Sequence, residues 1–180
     1  MDDNPEACFI GGFEKQPIII VPYDPAWPAR YAHHAAIICA ALGQALLRIE
    51  HIGSTSVPGL AAKPIIDILA VVPQSADESS YLPALEAVGY QLRVREPSFF
   101  EHRMLRTPER DVHIHFFSPD SPEIDRYLVF RDRLRANAED RARYEAVKRR
   151  LAARSWNHMN EYAQAKTDVI ESILAWRDMI

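Results

Sequence analysis

HIGSTSVPGLAAKPIIDILAVV, residues 51–72, decides how this chain folds. Leu47 to Ile52 reads as a strand that runs into GSTSVPGL, where Gly, Ser, Thr and Pro exclude any regular element. Lys63 and Pro64 then lead into IIDILAVV (65–72), an apolar run of strand length rich in β-branched residues, so a strand buried on both faces is expected. Asp67 interrupts that run. A carboxylate among Ile, Leu and Val is costly unless it is paired or holds a metal. A strand ending in Gly53 and Ser54 lets backbone N–H groups and hydroxyls approach a phosphate closely, because glycine adds no bulk. A short helix after the turn would aim its positive end at the same anion. Gly53, Ser54, Thr55 and Ser56 are therefore expected to bind phosphate. Lys63 joins them, its other reading being an exposed turn residue before Pro64.

Outward from this stretch the pattern is mixed. Residues 1–16 lack periodicity and contain Gly11 and Gly12, which predicts a flexible leader before a single domain over 17–180. Ile18 to Val21 reads as a short extended element. Asp24 and Pro25 carry helix-start signals for a helix to about Leu42 or Leu47. Ser75 to Val88 predicts an amphipathic helix stopped at Gly89. Tyr90–Arg95, Phe99–Arg106 and Asp111–Phe117 read as strands, the last two joined by a tight turn at Thr107, Pro108 and Glu109. Helices follow near 121–136, 138–153 and 157–178. The order predicts an α+β protein, a mixed sheet with packed helices and a helical C-terminal third.

Composition narrows the function classes. With 180 residues, 48% hydrophobic and 26% charged, the chain can bury one substantial core. No run approaches the roughly 18 apolar residues of a membrane helix, and the start is acidic where a signal peptide would be basic. A cytoplasmic protein without a membrane partner is expected. Cys8 and Cys39 are expected as free thiols. Net charge is −4, yet residues 126–154 hold ten Arg or Lys against four Asp or Glu, so that segment is +6 and the remainder −10. Such a basic wall suits an anionic ligand, its other reading being a solvated helix face. Nucleic acid is not indicated, since aromatics do not interleave with the basic residues and the pI is about 6.0.

Further candidates come from alternation. Along Asp111–Phe117, His113, His115 and Phe117 share one face of a strand. With Asp67 from a neighbouring strand, the two imidazoles make a 2-His-1-carboxylate set that suits Zn²⁺ or a transition metal better than Mg²⁺. The alternative is neutral, hydrogen-bonded histidines without metal. Arg131 falls among Ile124, Leu128 and Leu134, Lys166 among Tyr162, Val169, Ile170 and Ile173, and Lys148 beside Tyr144 and Leu151. Cations on inward stripes need anions, whether a ligand or a protein carboxylate. For Glu101, His102 and Arg103, register decides which reaches the same face; Arg103 could grip a ligand and Glu101 could add a carboxylate. Trp27, Trp156 and Trp176 read as core or helix-interface residues.

The stretch HIGSTSVPGLAAKPIIDI, with VPYDPAWP (21–28), HIHFF (113–117), YLVFRDRLR (127–135), YEAVKRRLA (144–152) and YAQAKTDVI (162–170), resembles the GrpB family over about residues 18–178. It is also similar to the C-terminal extension of some dephospho-CoA kinases. The resemblance implies the fold of polymerase-β-type nucleotidyltransferases. Their pattern is a Gly-Ser turn, a strand with two acids one residue apart, and a third carboxylate on a later strand. Gly53 and Ser54 match the turn and Asp67 matches the first acid, but Leu69 stands where the second should be, so the usual two-metal site is in doubt. The later strand departs as well, carrying His113 and His115 in place of the third carboxylate; Ser54 and Asp67 from the resemblance and these two histidines from alternation make the expected catalytic set, and the resemblance implies that Arg131, Lys148 and Lys166 grasp phosphate opposite Ser54. A divalent metal (Mg, Mn or Zn) and a nucleotide or other phosphorylated small molecule are the implied cofactor and partner. The implied activity is nucleotidyl transfer to an acceptor. Leu69 supports the alternative of a non-catalytic module for a nucleotide or a coenzyme A-related ligand. A metal-dependent hydrolase built on Asp67, His113 and His115 is the third reading.

Overall fold

A computed structural model describes residues 5–15 and 17–175. The elements are α1 (Trp27–Leu42), β1 (Arg48–Ile52), β2 (Ile66–Val71), α2 (Leu82–Ala87), β3 (Gln91–Glu96), β4 (His102–Arg106), β5 (Val112–Phe117), α3 (Pro122–Ala136), α4 (Ala138–Ala152), α5 (Met159–Gln164) and α6 (Thr167–Leu174). One five-stranded sheet runs in the order β1-β2-β5-β4-β3. The β2–β5 pair is parallel and the other pairs are antiparallel, so the sheet is mixed, as the sequence implied.

The alternation of β2 assigns each face its cover. Ile66, Ile68 and Ala70 pack with Ile114 and Phe116 beneath α1 and α2, through Trp27, Ile38 and Leu85. Asp67, Leu69 and Val71 point the other way, where Leu69 and Val71 meet Ile52, Phe117, Ile124 and Leu128 under α3. Burying each such side chain stabilises by roughly 1.5–3 kcal/mol. A third cluster, with Val57, Leu60, Leu134, Tyr144, Val169 and Ile173, fastens the helical third to the loop after Gly53. The chemistry-bearing face of the sheet is therefore roofed by α3 to α6.

Several elements depart from their expected bounds. Ile18–Val21 forms no strand; Val21 alone bridges Ala62. The helix start shifts to Trp27, because the Asp24 carboxylate accepts from the Ala26 N–H at 2.8 Å and the Asp24 carbonyl accepts from the Trp27 N–H, closing a turn before the helix. The segment 75–88 splits into a 3-10 turn at Glu78–Ser80 and the short α2, which starts beside Pro83, a residue suited to a first turn and unsuited to an interior. Phe100 and Glu101 take φ of 50° and 53°, so β4 begins only at His102. The last helix breaks between Gln164 and Thr167, and the remainder of its expected range, with Trp176, lies outside the described residues.

Residues 5–15 make contacts with the sheet edge. The Arg93 guanidinium, 6% exposed, donates to the carbonyls of Ile10 and Gly12, and Phe9 bridges Val94 on the edge strand β3. Glu14 pairs with Arg106 at 2.8 Å and Phe13 stacks on His158 at 3.9 Å. A buried guanidinium needs acceptors, and these backbone carbonyls supply them. Cys39 is an exposed free thiol on α1. Among the described residues no helix is long and apolar enough to cross a membrane.

Candidate functional site

Parallel pairing of β2 with β5 sets Asp67 beside His113 and Leu69 beside His115. His115 Nε2 lies 3.6 Å and His113 Nδ1 3.8 Å from Asp67 Oδ1. The potential ligand atoms of the three residues lie within 4.8 Å of one another. Burial alone would raise the Asp67 carboxyl, but His115, His113 and Lys63 outweigh it and hold it below the usual carboxylate range. Burial pushes His113 down to about 4. Gly53 closes over this carboxylate with φ 67° and ψ −175°, a conformation that is essentially glycine's own. A Cβ there would sit 2.4 Å from Asp67 Oδ2, so the glycine makes room for the acid.

These residues fit a single cation better than two. In a tetrahedral site with bonds of about 2.1 Å, neighbouring donors stand about 3.4 Å apart, close to the separations from Asp67. Leu69 is fully buried in the apolar floor and offers no oxygen. One carboxylate and two imidazoles form a nitrogen-rich donor set that suits Zn²⁺ or Mn²⁺ over Mg²⁺.

Opposite the acid stands a wall of lysines. Lys148, 3% exposed, donates to Ser54 Oγ at 3.0 Å and to the Ala61 carbonyl at 2.5 Å. Lys63 and Lys166 face the same Tyr162 ring, at 5.5 and 5.0 Å from its centroid. Burial, followed by the neighbouring Lys166, lowers Lys148 to about 7 and Lys63 to about 8, and burial lowers Lys166 as well. Among the described residues none of these three forms an ion pair with a carboxylate. The Tyr162 hydroxyl is buried without a hydrogen-bond partner. All four residues line one cavity of about 380 Å³ together with Gly53, Ser54, Asp67, His113 and His115. That volume is within the range of small-molecule sites.

The other expected residues divide. Thr55 lines the cavity, with Oγ1 donating to the Ile65 carbonyl at 3.1 Å and meeting His51 Nε2 at 3.1 Å. Ser56 does not; its hydroxyl donates to the Gly53 carbonyl at 2.6 Å and braces the turn from below. The expected helix after the turn is a single 3-10 turn, Ser54–Ser56, too short to present a helix dipole, so the anion-attracting charge comes from lysines. Arg131 lines the cavity, but its guanidinium is held by Glu50 at 2.9 Å, Asp132 at 2.7 Å and the His51 carbonyl at 3.1 Å. Arg103 is a correction. Register pairs it with Phe116 on the face away from Asp67, where its Nε donates to Glu78 at 2.7 Å and Glu101 follows it at 3.3 Å. Neither supplies the cleft with a charge; His102 is the member of that trio on the His115 side. Tyr144 and Tyr162, which in the sequence mark only buried faces, line the cavity as well. Each precedes its lysine by four residues, Tyr144 to Lys148 and Tyr162 to Lys166, and each ring carries that cation at 4.9 or 5.0 Å. This repeated spacing was the signal available for them.

Comparison with known proteins bears on family and fold. The family model described as GrpB protein matches residues 17–175. A UPF0157 protein of Halalkalibacterium halodurans is 52% identical over 157 residues, covering 87% of this chain and 80% of that one. The crystal structure of conserved protein GrpB from Enterococcus faecalis superposes with TM-score 0.77 at 35% identity, covering 86% of this chain and 94% of that chain. Cid1 in complex with its short product ApU gives TM-score 0.51 at 12% identity, over 72% of this chain and 42% of that chain, a likeness of fold. A dephospho-CoA kinase of Mycolicibacterium paratuberculosis is 29% identical over 178 residues, 84% of this chain but only 44% of that protein.

Proposed function

The chain belongs to the GrpB family, and from that premise we propose that its cleft binds a nucleotide or another phosphorylated small molecule and transfers a nucleotidyl group to an acceptor. The observation that carries the reading is the trio Lys63, Lys148 and Lys166, of which Lys148 is buried and the other two half-buried; among the described residues none forms a carboxylate ion pair, and all face the same cavity as Asp67. Burying unpaired ammonium groups is expensive, and a polyanionic ligand is the partner that would compensate them. Ser54 and the unpartnered Tyr162 hydroxyl add donors to the same wall. Asp67, His113 and His115 would hold a divalent cation, which when bound supplies Lewis-acid polarisation of a phosphoryl oxygen. The lysines would neutralise charge that develops on the phosphoryl oxygens, with fixed cations in place of covalent chemistry.

The test is titration calorimetry with nucleoside triphosphates and coenzyme A precursors, each with Mg²⁺, Mn²⁺ or Zn²⁺. Lys166→Met should weaken phosphate-ligand binding about 10- to 100-fold, the cost of one charge-assisted contact. Binding with incorporation of labelled nucleoside monophosphate that Asp67→Asn abolishes supports transfer. The burial of Leu69 at the second acid position favours a second reading, a non-catalytic nucleotide- or coenzyme A-binding module, and binding without turnover would select it. Absence of binding to every phosphorylated ligand would sink both.

A further inference from the structure

The antiparallel pairing of β4 with β5 and of β3 with β4 lines up Glu96, His102 and His115 on the cleft side of the sheet, where Glu96 is the register partner of His102 and Met104 that of His115. His102 Nδ1 lies 2.7 Å from Glu96 Oε2, and His102 Nε2 lies 3.0 Å from His115 Nδ1. The other nitrogen of His115, Nε2, faces Asp67 Oδ1 at 3.6 Å. The planes of the two imidazoles are nearly parallel, 13° apart, and Phe117 stacks on His102 at 4.8 Å. His102 is 5% exposed, so its ring has little freedom to turn.

Counting protons along this row gives one arrangement for neutral rings. An ionised carboxylate only accepts, so the hydrogen in the first gap belongs to His102 Nδ1. A neutral imidazole has a single N–H, which leaves His102 Nε2 bare, and the hydrogen in the second gap belongs to His115 Nδ1. His115 then presents a lone pair from Nε2 toward the Asp67 carboxylate. Two acceptors facing each other repel unless a cation lies between them. The row therefore prepares an electron-pair donor beside a carboxylate.

We propose that Glu96 and His102 are positioning residues that lock His115 in its Nδ1–H tautomer and so hold Nε2 as a ligand for a divalent cation shared with Asp67 and His113. This rests on the reading of those three residues as a cation site. A ligating histidine ordinarily donates its other ring N–H to an orienting acceptor; here the acceptor is a second histidine, itself oriented by a carboxylate.

The experiment is a long-range ¹H–¹⁵N spectrum of the imidazole nitrogens in the full chain, free of metal, together with Zn²⁺ titration of the wild type, His102→Phe and Glu96→Gln. His102→Phe keeps a flat ring on Phe117; Glu96→Gln is the milder change, at a side chain 31% exposed. The wild type should show His115 protonated at Nδ1 and bare at Nε2. His102→Phe should populate the Nε2–H tautomer of His115 and bind Zn²⁺ about 10- to 100-fold more weakly, and Glu96→Gln, whose amide oxygen is a weaker acceptor for His102 Nδ1–H, should shift both in the same direction by less. A wild-type His115 protonated at Nε2 overturns the proton order of the row, whatever metal does. The expected tautomer in a wild type that binds none of Zn²⁺, Mn²⁺ or Mg²⁺ overturns the ligand role and the cation-site reading while leaving the proton order standing. Variants with unchanged tautomer and unchanged Zn²⁺ affinity overturn the positioning role.

Discussion

Gly53 and Asp67 are one unit at the scale of single residues. The carboxylate occupies the space that any side chain at 53 would fill, and the backbone there holds φ 67°. Gly53→Ala should therefore lose roughly 1–3 kcal/mol of stability from the backbone alone, read as a lower midpoint in denaturant. It should also displace Asp67, so ligand affinity falls more than the fold does. A variant with wild-type stability and affinity would contradict the packing of turn on acid. Both residues were legible in the sequence because each breaks a local rule, a glycine at a strand end and an acid in an aliphatic run. Leu69 was legible as the departure from the two-acid pattern. Tyr162 was not, since a buried tyrosine on an apolar helix face signals packing first and its lack of a hydroxyl partner is visible only in three dimensions.

At the scale of elements, α4, the turn between α5 and α6, and the loop before β2 deliver Lys148, Lys166 and Lys63 to one wall. Crowding and burial give that wall a pH dependence with a definite sign. Lys148 and Lys63, lowered to about 7 and about 8, lose charge in the free protein as pH rises through those values, so anion binding must take up protons. The phosphate itself has lost its last proton by then, near pH 6. Affinity for ATP without metal should fall between pH 7 and 9, by at most about tenfold per unit per lysine, and Lys63→Met should flatten the profile. Calorimetric affinity that is constant or rises over this window would show that the ammonium groups do not carry the binding. Strand identities were legible from alternation, including the shared face of His113 and His115. Arg103 was not placed, because the positive φ of Phe100 and Glu101 delays the start of β4 and sets its register independently of hydrophobic pattern. The docking of residues 5–15 escaped for a similar reason: Arg93 recruits backbone carbonyls, which have no signature in the sequence.

For the whole molecule, the charge split read from the sequence acquires a partial meaning. The basic segment 126–154 forms α3 and α4 over the cleft, but many of its arginines are spent on pairs such as Arg133 with Asp140 and Arg149 with Glu145. The cleft draws its charge from lysines that lie on three separate elements and meet only in the folded chain. The mixed sheet fixes the acid and the imidazoles from below, the helical third brings Lys148 and Lys166 from above, and the loop before β2 adds Lys63. In the proposed function, ligand binding therefore draws on side chains from both layers. The most direct measurement is a crystal structure with a non-hydrolysable nucleoside triphosphate and Mn²⁺, phased for anomalous scattering. The account predicts one manganese peak about 2.1–2.3 Å from an Asp67 oxygen and His115 Nε2, with phosphate oxygens in hydrogen-bond reach of Lys148 and Lys166. A nucleotide bound elsewhere, or phosphates turned away from those lysines with no metal at Asp67, would contradict it.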